Sequence, residues 1–205
     1  MTLLVAAVSG SLVWMPADTL ITGGPSDLRH RTYEIKVVPS QSNDGLLGFA
    51  GDQYLGRRSI AEAATLPTEA RIDFLLDAHC RAPSVDFAYA YIDETGPRLA
   101  RIADGSVTLV ETLFLGVADA FEHFQRIRHD EDLDPTPEAV RTFVCGSRSR
   151  DAVPDGLIKA ITSMLRLFAE RAERDVGGWP IPYFLTREGA FLCGYGYSVS
   201  DPILT

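Results

Sequence analysis

Apolar and polar positions along the chain alternate in blocks, and the first blocks predict strands. Two short β-rich runs, Leu3–Val8 and Leu12–Met15, flank Ser9-Gly10-Ser11, which is typical of a β-hairpin. A second hairpin is predicted around the turn Asn43-Asp44-Gly45, since Asn or Asp before Gly between apolar runs favours a tight turn. The other predicted strands are Tyr33–Pro39, Leu46–Ala50, Phe87–Ile92, Leu99–Ala103, two pieces within Val107–Gly116, Pro182–Thr186 and Ala190–Tyr195.

Helical spacing of apolar residues appears in three segments between the strand blocks. Residues 53–80 are predicted to be helical with a break near Pro67, and Val117–His129 and Pro154–Arg174 follow. Blocks of strands separated by pairs of helical segments predict an α+β fold of stacked antiparallel sheets covered by helices. Because no Pro- or Gly-rich linker divides the chain, residues 1–205 are predicted to form a single domain.

Composition and charge exclude several classes of partner. With 205 residues, 46% of them hydrophobic and 23% charged, the chain is predicted to be globular with a sizeable core. Its net charge of −9 argues against a nucleic acid or an anionic membrane as partner. No apolar run reaches the roughly 20 residues of a membrane-spanning helix. Cys80, Cys145 and Cys193 are widely spaced and odd in number, which favours reduced thiols and a cytoplasmic location.

Most familiar catalytic and metal-binding motifs are missing from the sequence. The four histidines lack metal-ligand spacing, and neither a phosphate-binding loop nor a Gly-x-Ser-x-Gly elbow occurs, so no metal and no cofactor are predicted. His79-Cys80 ends a helical segment, where we expect a surface imidazole beside a buried thiol. Candidate chemistry therefore remains at the N-terminus.

Thr2 becomes the first residue if the initiator Met1 is removed, which is compatible with the small size of threonine. A hydroxyl is a weak nucleophile until a base takes its proton. A free α-amine, with a pKa of about 7.7–8.0, is well suited to that role near neutral pH. An N-terminal Thr2 would thus combine the nucleophile and the base in one residue.

The spacing of residues after Thr2 resembles that of the proteasome β-subunit family, including bacterial peptidase subunits of ATP-dependent proteases. In that family an N-terminal Thr is followed by a hairpin and, sixteen residues later, an Asp, which Asp18 matches. Thr22, Lys36 at the start of a strand, and Ala50-Gly51 at the end of the next strand also match in order. Asp175 precedes Gly177-Gly178 as an Asp precedes a Gly-Gly turn in the family.

The resemblance implies an N-terminal nucleophile hydrolase, a four-layer α-β-β-α sandwich that cleaves peptide bonds. It implies catalytic roles for Thr2, Asp18, Lys36, Gly51 and Asp175. A positive Lys36 would lower the pKa of the Thr2 amine, and Asp18 would hold that buried ammonium. The N–H of Gly51 would donate to the developing oxyanion.

The resemblance also implies a substrate and an assembly. Ile21, Thr22 and Phe49 would contact an unfolded protein or peptide, and the bulk of Phe49 and Ile21 would favour small or medium apolar side chains. Subunits would form a homo-oligomeric ring or stack, with an ATPase unfoldase as a further partner. The segments 53–80 and 117–129 would supply ring contacts, with these apolar residues expected there: Leu55, Ile60, Phe121 and Phe124.

Two alternatives stay open because helper positions differ from the family. Gly116-Val117-Ala118 and Val176-Gly177-Gly178 lack the serines common in the family, and Leu20 replaces a common arginine. These differences favour a catalytically silent assembly or scaffold subunit of the same fold. A non-proteolytic amidase acting on small molecules is the third hypothesis, because a fold alone does not fix a function.

Overall fold

The strand blocks and helical segments are present in the computed structural model, which describes residues 2–20, 34–129, 155–170 and 176–192. These ranges contain ten strands and four helices. In chain order they are β1 (Leu3–Ser9), β2 (Leu12–Ala17), β3 (Val37–Pro39), β4 (Gly45–Gly51), α1 (Gln53–Ala63), α2 (Thr68–Arg81), β5 (Val85–Asp93), β6 (Gly96–Ala103), β7 (Ser106–Leu109), β8 (Thr112–Gly116), α3 (Ala118–His129), α4 (Asp155–Glu170), β9 (Ile181–Thr186) and β10 (Gly189–Leu192).

Two antiparallel sheets of five strands each form the centre of the fold. The first has the strand order β10-β9-β2-β1-β8, and the second has β3-β4-β5-β6-β7. The hairpin β1–β2 pairs Leu4 with Ala17 and Ser9 with Leu12, so the predicted turn at Gly10 is confirmed. Gly10 has a φ of 58° there, a conformation that glycine adopts without a steric cost.

Alternating side chains of β1 divide the core into layers. Because successive residues of a strand face opposite sides, Leu3, Val5 and Ala7 pack with α3 and α4, whereas Leu4 and Ala6 pack against the second sheet. A third apolar cluster lies between the second sheet and the helices α1 and α2, with Phe49 and Leu75 among its members. The α+β prediction is confirmed, and this layering is compatible with a sandwich of two sheets and outer helices.

The third predicted strand is shorter than expected. Tyr33 of the predicted segment Tyr33–Pro39 lies outside the described residues. Of residues 34–39, only Val37–Pro39 is a strand, and residues 34–36 are irregular. The reason is that the N–H of Glu34 donates to the carbonyl oxygen of Thr19, at 2.8 Å, and so bonds to the chain beyond β2. Residues 154 and 171–174 of the predicted helix Pro154–Arg174 lie outside the described ranges. So do residues 193–195 of the predicted strand Ala190–Tyr195.

The expected environments of His79 and Cys80 were wrong. His79 is buried and Cys80 is exposed, because the buried stripe of α2 runs through Arg71, Leu75, Ala78 and His79. The N–H of Gly105 donates to Nε2 of His79 at 3.0 Å, so Nδ1 carries the proton that meets the Val85 carbonyl at 2.7 Å. The imidazole therefore links α2 to two segments of the second sheet. Cys145 and Cys193 lie outside the described residues.

A polar cluster holds the turn between β3 and β4, the two strands adjoining Lys36 and Gly51. Asp44 accepts hydrogen bonds from Ser40 at 2.6 Å, Ser42 at 2.7 Å and Thr68 at 2.5 Å. Its Oδ1 also lies 2.6 Å from the buried guanidinium of Arg71, which reaches Leu66 and Tyr89 as well. Burial opposes ionisation of Asp44, but these hydrogen bonds outweigh it and hold its pKa well below 3.8.

No helix in the described ranges is long and apolar enough to cross a membrane.

The Asp44 cluster predicts a specific acid sensitivity. Since the folded-state pKa of Asp44 is below its unfolded value of 3.8, its contribution to stability is complete above that pH and is lost as the pH falls below it. Asp44→Asn should lower the free energy of unfolding by about 1–3 kcal/mol at neutral pH. The difference in the free energy of unfolding between wild type and Asp44→Asn should become smaller as the pH is lowered towards about 3. Urea unfolding at each pH measures this difference.

Asp104→Asn is the matched control, because Asp104 also occupies a turn between two strands but is exposed. It should leave the stability unchanged to within about 0.5 kcal/mol. A gap between wild type and Asp44→Asn that stays constant with pH would contradict the assigned role of the carboxylate.

Candidate functional site

The β1–β2 hairpin brings Asp18 next to the start of β1. Its register places Asp18 opposite Leu3, and the N–H of Asp18 donates to the Leu3 carbonyl at 3.0 Å. In return, the N–H of Leu3 donates to Oδ1 of Asp18 at 2.8 Å. Both hydrogen bonds involve Leu3, the residue immediately after Thr2. Thr2 itself is buried, with 3% of its surface exposed. Asp18 therefore lies beside the chain at Thr2.

Lys36 extends from the second sheet to the same carboxylate. Its Nζ lies 2.8 Å from Oδ1 of Asp18 and 2.7 Å from the carbonyl oxygen of Leu20. Lys36 and Asp18 are 4% and 0% exposed, so the ion pair is removed from water. Nζ of Lys36 and N of Leu3 meet the same oxygen, which puts the ammonium within two hydrogen-bond lengths of the peptide nitrogen that follows Thr2.

Burial controls the ionisation of both partners. It raises the pKa of Asp18 above its ordinary value, against the attraction of Lys36 and hydrogen bonds from Leu3 and Gly177. It lowers the pKa of Lys36, against the attraction of Asp18 and Glu34. A buried ammonium with a lowered pKa is more ready to share its proton than an exposed lysine.

A turn more than 150 residues along the chain closes the other side of Asp18. The N–H of Gly177 donates to Oδ2 of Asp18 at 3.3 Å. The carbonyl of Gly177 accepts from the N–H groups of Thr19 and Leu20, at 3.2 Å and 3.0 Å. Leu3 and Lys36 bind Oδ1 of Asp18, and this turn binds Oδ2, so both carboxylate oxygens have a partner. The Gly177-Gly178 turn was visible in the sequence, but its bond to Asp18 was not predicted.

The strand β8 fixes the carbonyl group of Thr2 from the opposite side. The N–H of Val117 donates to this carbonyl oxygen at 3.1 Å. Gly116 has a φ of 119°, and a Cβ placed on it would lie 1.7 Å from the same oxygen. Only glycine leaves room for Thr2 at this strand end. A glycine at the end of a predicted strand was the available signal, but its contact with Thr2 was not predicted.

Gly51 ends β4 at the same end of the second sheet as Lys36. The pairing of Val37 with Gly48, and the N–H of Phe49 on the Lys36 carbonyl at 3.2 Å, place Lys36 beside β4 just before Gly51. Gly51 has a φ of 111°, and a Cβ on it would lie 1.9 Å from the carbonyl oxygen of Ser84. Its glycine identity is thus explained by the close approach of Ser84, the residue before β5. Its role as an oxyanion donor stays a prediction.

Phe49 is buried in the apolar cluster beneath α1. A Cβ on Gly56 of α1 would lie 2.1 Å from the Phe49 ring, so the helix passes directly over it. The ring is closed off from solvent in this chain, and substrate contact with Phe49 stays a prediction. The other predicted substrate-binding residues, Ile21 and Thr22, and the predicted catalytic residue Asp175 lie outside the described ranges.

Within the described ranges, no group of three or more His, Cys, Asp or Glu residues is arranged to hold a metal ion. The site consists instead of a buried ion pair held by backbone groups. No model of a known protein family matches this sequence, and no curated protein matches it.

The buried ion pair predicts strong coupling between its two residues. Asp18→Asn and Lys36→Met should each lower the free energy of unfolding by about 3–5 kcal/mol, because each removes the opposite charge from its buried ion-pair partner. The double variant should lose markedly less than the two single losses combined. Urea unfolding of the four proteins measures this difference.

The exposed pair Arg81–Asp77, at 2.9 Å, is the matched control. The same cycle with Asp77→Asn and Arg81→Met should give a coupling below about 1 kcal/mol. Additive losses for Asp18 and Lys36 would show that the two side chains do not depend on each other.

Proposed function

We propose that this chain is a threonine hydrolase that cleaves peptide bonds through Thr2, exposed as the N-terminal residue after removal of Met1. The observation that carries the proposal is the buried Asp18–Lys36 pair anchored to the residue after Thr2. A buried ion pair contributes little net stability compared with an apolar pair of the same size. Its cost is better explained by a charge that is needed at this position.

The proposed chemistry uses the Thr2 hydroxyl as nucleophile. The free amine of Thr2 takes the hydroxyl proton while Oγ1 attacks the carbonyl carbon of the substrate. The ammonium of Lys36 disfavours a second positive charge nearby and so keeps this amine unprotonated. The C–N bond then breaks, the leaving amine takes the proton, and water hydrolyses the resulting ester to free Thr2.

Three further residues complete the proposed mechanism. Asp18 holds Lys36 in place, and the N–H of Gly51 donates to the oxyanion. Asp175 is proposed to act beside the nucleophile because of its position before the Gly177-Gly178 turn. The resemblance to proteasome β-subunits supports these roles, and two antiparallel sheets with outer helices are compatible with that fold.

A catalytically silent scaffold subunit is the second candidate. It is favoured by the absence of a hydroxyl at Val117, whose N–H contacts the Thr2 carbonyl, and by the burial of Thr2. A small-molecule amidase is the third candidate and shares the Thr2 chemistry. Peptide hydrolysis and the mass of the purified chain separate the three.

We further propose that copies of this chain form a ring or stack that encloses the nucleophile and receives an unfolded protein from an ATPase. Of the apolar residues predicted for the contacts, Ile60 and Phe124 are buried in the cores of the single chain and do not reach a partner. Leu55 is exposed on α1, beside Tyr54, which is 72% exposed. The first turn of α1 is therefore the better candidate for a subunit contact.

The first test concerns the nucleophile. Thr2→Ala should reduce hydrolysis of fluorogenic peptides by at least about a thousand-fold and abolish labelling by an epoxyketone, because the attacking oxygen is removed. Thr108→Ala, at an exposed position of β7, should keep full activity as a matched control.

Intact-mass analysis accompanies this test. The wild-type protein should lack Met1, since the base requires a free amine on Thr2. A wild-type chain that begins with Thr2 but is neither active nor labelled would exclude the hydrolase and favour the scaffold. Turnover of small amides without peptide cleavage would favour the amidase.

The second test concerns assembly. Light scattering at micromolar concentration should show a species several times the 22.4 kDa of one chain. Tyr54→Arg combined with Leu55→Glu should lower this mass, because stable subunit interfaces are poor in charged residues. Leu109→Glu, on the exposed strand β7, is the control and should keep the assembly. A strict monomer that still cleaves peptides would contradict an enclosed site.

A further inference from the structure

The two tryptophans of the chain have opposite environments. Trp14 lies in the core between the first sheet and the helices α3 and α4. Trp179 is 58% exposed. A single exposed aromatic residue needs no functional explanation by itself. For Trp179, the position near Thr2 points to a function.

Trp179 lies across β2 from the start of β1. β1 and β2 are joined as far as Leu3 and Asp18, and Thr19 follows Asp18. The N–H of Trp179 donates to Oγ1 of Thr19 at 2.9 Å. Neighbouring strands are about 4.8 Å apart, so the backbone of Trp179 lies roughly 10 Å from that of Leu3, the residue after Thr2.

The turn that carries Trp179 is attached to the ion-pair site. Gly177, two residues before it, bonds to Asp18, Thr19 and Leu20 through its N–H and its carbonyl group. Ile181, two residues after it, pairs with Ala17 in the sheet. Trp179 is therefore fixed on both sides, and its ring is presented to solvent from a rigid support, which reduces the entropic cost of binding.

We propose that Trp179 determines substrate specificity by packing its indole against an apolar side chain of the bound peptide. This inference rests on the proposed peptide hydrolase function. Roughly 10 Å corresponds to about three residues of an extended peptide, so the contacted side chain lies within about three positions of the cleaved bond. Burying the exposed ring against an aliphatic side chain removes apolar surface from water on both partners.

A library of internally quenched peptides tests this specificity. Each peptide of the library carries Ala, Leu or Lys at one of the three positions on either side of the cleaved bond. Trp179→Ala should reduce the Leu-over-Ala ratio of kcat/KM about ten-fold at one position. Trp179→Phe should retain most of the ratio, and Leu109→Ala, at another exposed apolar residue, should not alter it.

Two results would overturn the proposal. An unchanged Leu-over-Ala ratio in Trp179→Ala would exclude the contact. An equal fall of kcat/KM for all peptides would show that the residue only supports the turn. A wild-type chain that hydrolyses no peptide would instead refute the proposed function, and the inference with it.

Tryptophan fluorescence of the inactive Thr2→Ala protein provides a readout without turnover. Binding of a Leu-containing peptide should shift the emission to shorter wavelength, because the exposed indole of Trp179 becomes covered while Trp14 is already buried. Adding Trp179→Phe should remove the shift. A peptide that binds by fluorescence anisotropy without changing this emission would overturn the proposal.

Discussion

The buried contact between Asp18 and Lys36 is the interaction on which the arrangement of the site depends. It joins the residue after β2, in the first sheet, to the residue before β3, in the second sheet. Nζ of Lys36 lies 2.8 Å from Oδ1 of Asp18, and both side chains are buried from water. Two ions in that environment are tolerated only where hydrogen bonds satisfy the rest of each group. The backbone of Leu3, Leu20 and Gly177 provides those bonds. Four separate segments are thus held by one carboxylate and one ammonium.

The apolar core gives this contact its rigidity. β1 has one face against the helices α3 and α4 and the other against the second sheet, so neither end of the ion pair can move independently of a packed layer. The polar cluster of Arg71 and Asp44 holds the far end of the β3–β4 hairpin on α2. Lys36 therefore approaches Asp18 from a hairpin that is fixed at both ends.

Local features were predictable from the sequence, and long-range ones were not. The first hairpin follows from the two short apolar runs and the glycine turn between them. The strand at Tyr33–Pro39 was predicted too long, because its apolar alternation says nothing of the bond from Glu34 to Thr19. The sequence placed Cys80 in the core and His79 on the surface, and the structure shows the reverse. Successive side chains of a helix point about 100° apart, and the buried face of α2 was not identified from the sequence.

The candidate site shows the same division. The roles assigned to Asp18 and Lys36 rested on spacing and resemblance, and the two side chains do meet. The bond from Gly177 to Asp18 spans 159 residues, a separation over which no periodicity carries information. Trp179 was not singled out, because its bond to Thr19 spans 160 residues.

The carbonyl oxygen of Thr2, held by Val117 over the space left by Gly116, has a consequence for how Thr2 itself is positioned. The hydrogen bonds that anchor the start of β1 in the described structure begin at this oxygen and at the N–H of Leu3. These two atoms belong to the peptide group between Thr2 and Leu3, so this group is held at both of its polar atoms. The Cα of Thr2 is therefore positioned by the sheet.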